Sequence, residues 1–383
     1  MKVVDWVLFF IFSVNVLYLL LFAVASRFGK KSRSIEASCY RRIAVLISAY
    51  QENTVIEECV NVCLHQDYPK DKYSVVVISD HMTEETNQRL SQLPIKLCIA
   101  QYEQSTKSKA LNLAMSEIED HDIALVFDAD NTVDLDFFKR INDAFESNDT
   151  HILQAHRVAK NLNNDMAVLD AVSEEINNSI FRQGHTILGL SSALIGSGMA
   201  FDYQMFKKKM LSIHAVGGFD RNLELSFLKE GMHIKYLPDA YVYDEKVQSS
   251  QAFSNQRRRW LSAQFHYFFE FMKYFPQEVV TGNVDFCNKF LQQLVLPRII
   301  LLEFIGLYSI LALILMPESA LKWWIIFLIF CLTLILAIPR KMVNCRLFIA
   351  LKELPMVSIL MLVNLFKLKN ANKSFIHTVH GIK

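Results

Sequence analysis

The stretch from Val3 to Ala25 is almost continuous hydrocarbon, broken chiefly by Asp5 and Asn15. At ~1.5 Å per helical residue it is long enough to cross the ~30 Å apolar core of a bilayer. Arg27, Lys30, Lys31 and Arg33 follow it, joined by Arg41 and Arg42, and no small-residue cleavage site does. A cleaved signal carries its positive charge ahead of the apolar stretch. The segment therefore reads as a retained anchor. The basic cluster places the following chain in the cytoplasm and the extreme N-terminus outside.

The rest of the apolar excess, in a chain of 383 residues that is 52% hydrophobic, lies towards the other end. Ile299 to Met316 and Leu321 to Ile338 flank Pro317-Glu318-Ser319-Ala320, which reads as the turn of a membrane hairpin. Arg340, Lys341 and Arg346 return the chain to the basic side. Leu347 to Phe366 carries Lys352, Glu353 and Pro355, and a charge at the bilayer centre costs ~2.5–3.5 kcal/mol. Lys367, Lys369 and Lys373 follow, so an interfacial or re-entrant helix is expected there. His377 and His380, in the same tail, read as solvated rather than as a gate. The expected division is an anchor over 1–27, an α/β domain over 28–260, interfacial helices over 261–290, a hairpin over 291–340, and the last helix with its basic tail over 341–383.

Net charge is +1, and no basic stripe interleaved with aromatics runs through the middle, so nucleic acid is excluded as a partner. Seven cysteines show no metal-site spacing; Cys59 and Cys63 read as small buried thiols in a reduced compartment.

From residue 43 to about residue 245, strand and helix patterns alternate. Ile43 to Ile47 ends at Ser48-Ala49-Tyr50, Tyr73 to Ser79 ends on Asp80, and Ile123 to Phe127 ends on Asp128-Ala129-Asp130. Helical stretches run from Thr54 to His65 and from Lys107 to Ile118. Alternation of this kind builds a parallel sheet, whose ligands collect at the carboxyl ends of the strands. Two carboxylates at such an edge suit a hard divalent cation. Gln256-Arg257-Arg258-Arg259-Trp260 then supplies guanidinium groups for a polyphosphate and an indole for a ring. Taken singly, each has a plainer reading, as a loop cap or a basic cluster at a lipid surface. Metal, phosphate and sugar ring beside a membrane are the parts a nucleotide-sugar transferase needs.

Ile47-Ser48-Ala49-Tyr50-Gln51-Glu52-Asn53, Gln66-Asp67-Tyr68-Pro69, Asp80, Lys107 with Ala110-Leu111-Asn112, Asp128-Ala129-Asp130, and Gln256 with Arg259-Trp260 form an ordered set. The chain resembles the membrane-bound glycosyltransferases of family 2, the group of cellulose, chitin, hyaluronan and poly-N-acetylglucosamine synthases. The resemblance implies a GT-A fold, a doubly wound and mostly parallel sheet with transmembrane helices at both ends. It also implies a nucleoside diphosphate sugar donor and Mg2+ or Mn2+. On it, Asp128 and Asp130 are the metal ligands. Tyr50, Glu52, Asp80, Lys107, Asp128 and Arg259 would bind donor, and Gln256, Trp260 and Gly198 the acceptor; Arg257 and Arg258 are expected to face lipid.

One motif departs. Where the family carries the aspartate taken as general base, this chain has Asn222, in Gly217-Gly218-Phe219-Asp220-Arg221-Asn222-Leu223-Glu224-Leu225. An amide accepts no proton at neutral pH, so Asp220 or Glu224 is left for the role. The expected function is inverting transfer of a hexosyl or N-acetylhexosaminyl group to a growing glycan or lipid-linked acceptor. Single addition to polyprenyl phosphate or a glycolipid, and a silent donor-binding subunit, stay as alternatives. An oligomer or an export partner also stays open. The bacterial inner membrane, with the middle domain cytoplasmic, is the expected location.

Overall fold

The computed structural model describes residues 2–29, 36–146 and 149–366. Lys30, Lys31 and Arg33, and the tail carrying Lys367, Lys369, Lys373, His377 and His380, lie outside the described residues. The middle of the chain forms eight strands: β1 (Ile43–Tyr50), β2 (Tyr73–Asp80), β3 (Lys96–Ala100), β4 (Ile123–Asp128), β5 (Thr132–Val133), β6 (Ile152–Ala159), β7 (Met199–Asp202) and β8 (Ile234–Asp244). Their order in the sheet is β3-β2-β1-β4-β7-β6-β8-β5.

β3, β2, β1 and β4 are parallel, β6 pairs parallel with β8, and β7 and β5 run antiparallel to their neighbours. The expectation of an α/β, mostly parallel sheet therefore holds. The antiparallel strands are four and two residues long, too short to leave a periodic signal. β1, β2 and β4 are buried along nearly their whole length because helices cover both faces. On one side, Ile56, Val60, Phe137 and Ile141 pack on Val45, Ile47 and Leu125. On the other, Leu111, Met115, Phe206, Leu223 and Phe227 pack on Leu46, Ile78 and Val126.

Among the described residues, four helical segments are long and apolar enough to cross a membrane: Lys2–Ser26, Arg298–Leu315, Pro317–Ala337 and Cys345–Leu365. The hairpin forms, but Pro317 to Ala320 is helix rather than turn, and the chain reverses at Met316. Proline suits the first turn of a helix, where its missing N–H has no partner to lose. Asp5 is accounted for by its partners: Trp323 Nε1 donates to it at 2.8 Å and Ser319 Oγ at 3.1 Å, and Lys322 forms an ion pair with it.

The last segment, expected to be interfacial or re-entrant, comprises helix Cys345–Ala350, a 3-10 turn Leu351–Glu353 and helix Leu354–Phe366. Lys352 pairs with Asp165 at 2.7 Å, and Asn364 Nδ2 donates to the Ser254 carbonyl at 2.9 Å. Both partners belong to the part of the chain expected to be soluble. The helix Ser250–Phe271 runs unbroken through the boundary expected at residue 260, so the Gln256–Trp260 motif and the start of the supposed interfacial region share one rigid rod.

Where the α/β part meets the first helix, contact is close. A Cβ on Gly184 would lie 2.2 Å from the Phe22 carbonyl oxygen, and His185 stacks on the Phe22 ring at 3.7 Å. Gly184→Ala must push the two backbones apart, because no flexible side chain stands between them. Overpacking of this kind costs about 1–3 kcal/mol. The thermal unfolding midpoint of the purified protein in detergent is expected to fall accordingly, and an unchanged midpoint would show that the first helix is not held there.

Candidate active site

The register of the parallel strands sets up the site. Tyr50 lies opposite Asp80, and Ser48 opposite Asp128, so three neighbouring strands end at one edge. The chain leaves β1 and β2 through Gln51 and His81, both non-glycine residues with positive φ (58° and 55°). Backbone of this kind costs free energy and concentrates where a site requires it. His81 Nδ1 lies 2.6 Å from Asp80 Oδ1, and its ring is 5.4 Å from that of Tyr50.

After β4 the chain turns sharply. Asn131 Oδ1 accepts the Asp128 N–H at 3.0 Å and the Ser197 hydroxyl, and Asn131 Nδ2 donates to Asp130 Oδ1 at 3.2 Å. The N–H of Glu245, just past β8, donates to Asp130 Oδ2 at 2.9 Å. Asp130 is thereby buried and fixed, while Asp128 stays partly open. Lys107 forms an ion pair with Asp128 and donates to the Gly196 carbonyl at 2.7 Å.

The facing wall comes from the helix Ser250–Phe271. Burial lowers the pKa of Arg259, and the Asp128 carboxylate works against that shift. Arg257, expected to face lipid, is turned inwards. It pairs with Asp170 at 2.6 Å and lies 4.3 Å from the Trp260 ring. The indole, rather than bulk water, covers its flat face. Arg258 has its Nε buried as well, so neither side chain is simply turned to lipid.

One cavity of about 520 Å3 connects these walls. Its lining includes Tyr50, Glu52, Asp80, Lys107, Asp128, Asp130, Asp220, Glu224, Gln256, Arg259 and Trp260. Gly198 and Asn222 are not in it. Gly198 (φ 62°) packs into the sheet, where a Cβ would meet Val242 Cγ2 at 2.7 Å; Gly196 is the residue of that loop that reaches the cavity. Asn222 is taken up by the Ser226 hydroxyl at 3.1 Å and by a hydrogen bond with Tyr267.

The two acids of that helix differ in environment. Burial raises the pKa of Asp220, against the pull of Arg221 and Lys107. Glu224 is also raised by burial, but its carboxylate is committed: the Leu194 N–H donates to it at 2.8 Å and the buried Lys289 lies at 3.6 Å.

Sequence reasoning missed a buried charge cluster in the wall of the cavity. Arg157 on β6 pairs with Glu174 at 2.9 Å and with Asp244 at 3.2 Å, and Arg182 reaches the other Glu174 oxygen at 3.0 Å. Arg182 sits in a π-helical turn, Asn178–Gly184, a distortion frequent at functional sites. These residues carry no motif spacing; only charged residues inside an apolar helical pattern hinted at them.

Residues 41–263, more than half of the chain, match the family described as glycosyltransferase like family 2. The chain belongs to this family. It is 24% identical over 278 residues to a beta-monoglucosyldiacylglycerol synthase of Synechocystis sp., covering 67% of this chain and 55% of that one. It is 23% identical over 254 residues to the probable glycosyltransferase YdaM of Bacillus subtilis, covering 61% of this chain and 58% of that one. The chain thus spans little more than half the length of these relatives. Among solved structures, the mannosyltransferase PcManGT of Pyrobaculum calidifontis, in complex with GDP-Man and Mn2+, superposes with a TM-score of 0.55 at 15% identity. That likeness covers 87% of this chain and 97% of that one. The fold of this chain is GT-A, as the resemblance implied.

Asp128 and Asp130 fit a divalent cation by donor type. Among the described residues no group of three His, Cys, Asp or Glu side chains converges, so the protein would offer two carboxylates and leave other positions to phosphate and water. Mg2+ and Mn2+ accept such a set.

Glu174 is the carboxylate on which this buried cluster turns. Burial alone would raise its pKa, but Arg157 and Arg182 hold it well below the usual carboxylate range. Its contribution is therefore present above the unfolded value near ~4.3 and is lost as pH falls through the depressed folded value. Glu174→Gln leaves two buried guanidinium groups short of a counter-charge and is expected to cost about 3–5 kcal/mol at neutral pH. Denaturation midpoints compared from pH 7 downwards should show a deficit that begins to shrink below about pH 4.3 and closes only in strong acid.

Proposed function

We propose that this glycosyltransferase is a membrane-bound, inverting enzyme that moves one sugar from a nucleoside diphosphate donor to a lipid-linked acceptor at the cytoplasmic face. The observation that carries the reading is the extent of the cavity. It runs from the strand ends at Tyr50, Asp80 and Asp128 to Pro297, Arg298, Ile299 and Met361, at the ends of apolar helices. A donor from solution and an acceptor from the bilayer would meet in the middle, beside Trp260 and Asp220. A hexose is favoured over an N-acetylhexosamine because relatives and a structural neighbour are named for glucosyl and mannosyl transfer.

Each residue then has a task that its surroundings support. Asp80 and Glu52 accept from the base or ribose, and Tyr50 stacks on the base. Asp128 and Asp130 would hold Mg2+ or Mn2+, which supplies positive charge to the leaving diphosphate. Arg259 and Lys107 bind the same diphosphate, Arg259 with its planar fork. Trp260 forms the floor under the acceptor sugar, with Gln256 beside it. Asp220 takes the proton from the attacking hydroxyl: it is on the wall, and burial makes it more basic than an ordinary carboxylate. Glu224, fixed by Lys289 and Leu194, orients the helix that carries Asp220. The presence of Asp220 on the wall favours an active enzyme over a silent subunit.

Incubating the purified protein in detergent with UDP- and GDP-sugars and a lipid extract, followed by product analysis, tests the reading. One added sugar on a lipid is expected; a long polymer would instead make the acceptor a growing glycan. Asp130→Ala, or excess chelator, is expected to abolish binding of the accepted nucleotide sugar, measured by calorimetry. Undiminished affinity in chelator would remove the metal from the account.

Asp220→Asn separates chemistry from binding. Turnover should fall about 10²–10⁴-fold with donor affinity nearly intact. The wild-type rate should decline as pH drops through the raised Asp220 pKa, because the base acts only when deprotonated. That acid limb should lie above the ordinary aspartate value and vanish from the residual rate of the variant.

A further inference from the structure

The end of the cavity nearest the apolar helices gathers guanidinium groups. Arg182 shares Glu174 and Arg257 has Asp170, but among the described residues Arg298 forms no ion pair. Glu303, the one acid on its helix, leaves Oε1 without a partner rather than turning to it. Arg298 Nη2 donates to the Ser173 carbonyl at 3.1 Å and to Ser173 Oγ at 3.0 Å, while Nη1 is buried with no hydrogen-bond partner. Arg257 Nη2 stands 3.5 Å from the same Ser173 Oγ. Two cations thus converge on one neutral hydroxyl. A buried charge in that position calls for an opposite charge.

Two further observations describe what would bring it. Arg298 opens an eighteen-residue helix whose N-terminus has no side-chain cap, so the positive end of the helix dipole adds to the guanidinium field. Gln256 Oε1 and Gln292 Oε1, both on the cavity lining, are buried and unpartnered. An amide oxygen can only accept, and hydroxyl groups are the donors that match it.

The geometry points to a phosphate subsite, formed by Arg298 with Arg257, that holds the phosphate of a glycosylated lipid phosphate acceptor. This rests on the cavity being the donor and acceptor site described above. The acceptor's sugar hydroxyls meet Gln256 and Gln292 over Trp260, its phosphate meets the two guanidinium groups, and its hydrocarbon leaves along the helix Arg298–Leu315. A neutral diglyceride would leave Arg298 without a counter-charge.

Binding of simple probes to the full chain in detergent tests the subsite without knowledge of the donor. Farnesyl phosphate is expected to bind at least about tenfold more tightly than farnesol, the margin of a charge-assisted hydrogen bond. Arg298→Gln should erase that preference and Arg298→Lys should keep part of it. Both variants should retain binding of nucleoside diphosphate with Mn2+, which reports on the donor half separately. Equal binding of the two probes by the wild type, which needs no variant to fold, overturns the proposal, as does an unchanged preference in Arg298→Gln. Inorganic phosphate binding as tightly as farnesyl phosphate would make this a free-phosphate site. Displacement of the probe by a tenfold excess of phosphatidylglycerol would assign it to a bilayer headgroup. Either result overturns the acceptor assignment. Loss of nucleotide binding in the wild type, with the farnesyl phosphate preference intact, would sink the donor reading and leave the subsite standing.

Discussion

Glu174 sits between two guanidinium groups, and the architecture of the site hangs on that arrangement. Its two oxygens take Arg157 from β6 and Arg182 from the π-helical turn, and Arg157 passes the connection on to Asp244 at the end of β8. Three elements distant in sequence are thereby held at fixed separation. The Glu245 N–H, one residue past Asp244, is in turn what pins Asp130. Buried ion networks add little net stability compared with apolar packing, yet breaking one is costly. Their use here is to fix where Asp130, the carboxylate proposed to hold a metal, stands.

The same logic joins the apolar helices to the chemistry. Tyr18, on the first helix, lies 3.2 Å from His185 Nε2 and donates to Asn288 Oδ1 at 3.1 Å. Lys289, the next residue, is the buried partner of Glu224. The first apolar helix and the helix bearing the proposed base are thus separated by two side-chain contacts and one peptide unit. Burial lowers the pKa of His185, with Lys289 adding to the effect, so its ring is neutral at physiological pH and serves as a packed hydrogen-bonding plate against Phe22. On the proposed function, rigid attachment would suit an acceptor that arrives from the bilayer at a fixed height.

Much of this was legible in the sequence, for physical reasons. Apolar runs ending in Tyr50, Asp80 and Asp128 announce buried parallel strands, because a strand covered on both faces cannot alternate. The Asp128-Ala129-Asp130 and Gln256–Trp260 motifs are local, so spacing alone reveals them. Arg157, Glu174, Arg182 and Arg298 were not legible, since each acquires meaning only from a partner on another element. Gly198 misled for the opposite reason: it sits in a small-residue loop next to the site, but its missing side chain makes room for Val242 rather than for a sugar. Pro317 to Ala320 misled too, because proline marks a helix start as readily as a turn.

Asn222 is the instructive case. Read as one position of a motif, it removes the expected base and casts doubt on turnover. On the helix Phe219–Lys229 the question is which positions face the cavity. Residues four apart share a face, and residues two apart lie ~200° round the axis. Asp220 and Glu224 therefore point one way and Asn222 another, towards Ser226 and Tyr267. The amide is not on the cavity wall, so on the proposed function its inability to accept a proton would cost the reaction nothing. Of the two acids on the inner face, one is tied by a buried lysine and a backbone N–H. The other is Asp220, raised in pKa by burial and placed in the cavity wall beside Gly196, where an added Cβ would stop 3.8 Å from its Oδ2. With Asp220 as the proposed base, an amide on the outer face would alter the motif and leave the chemistry in place.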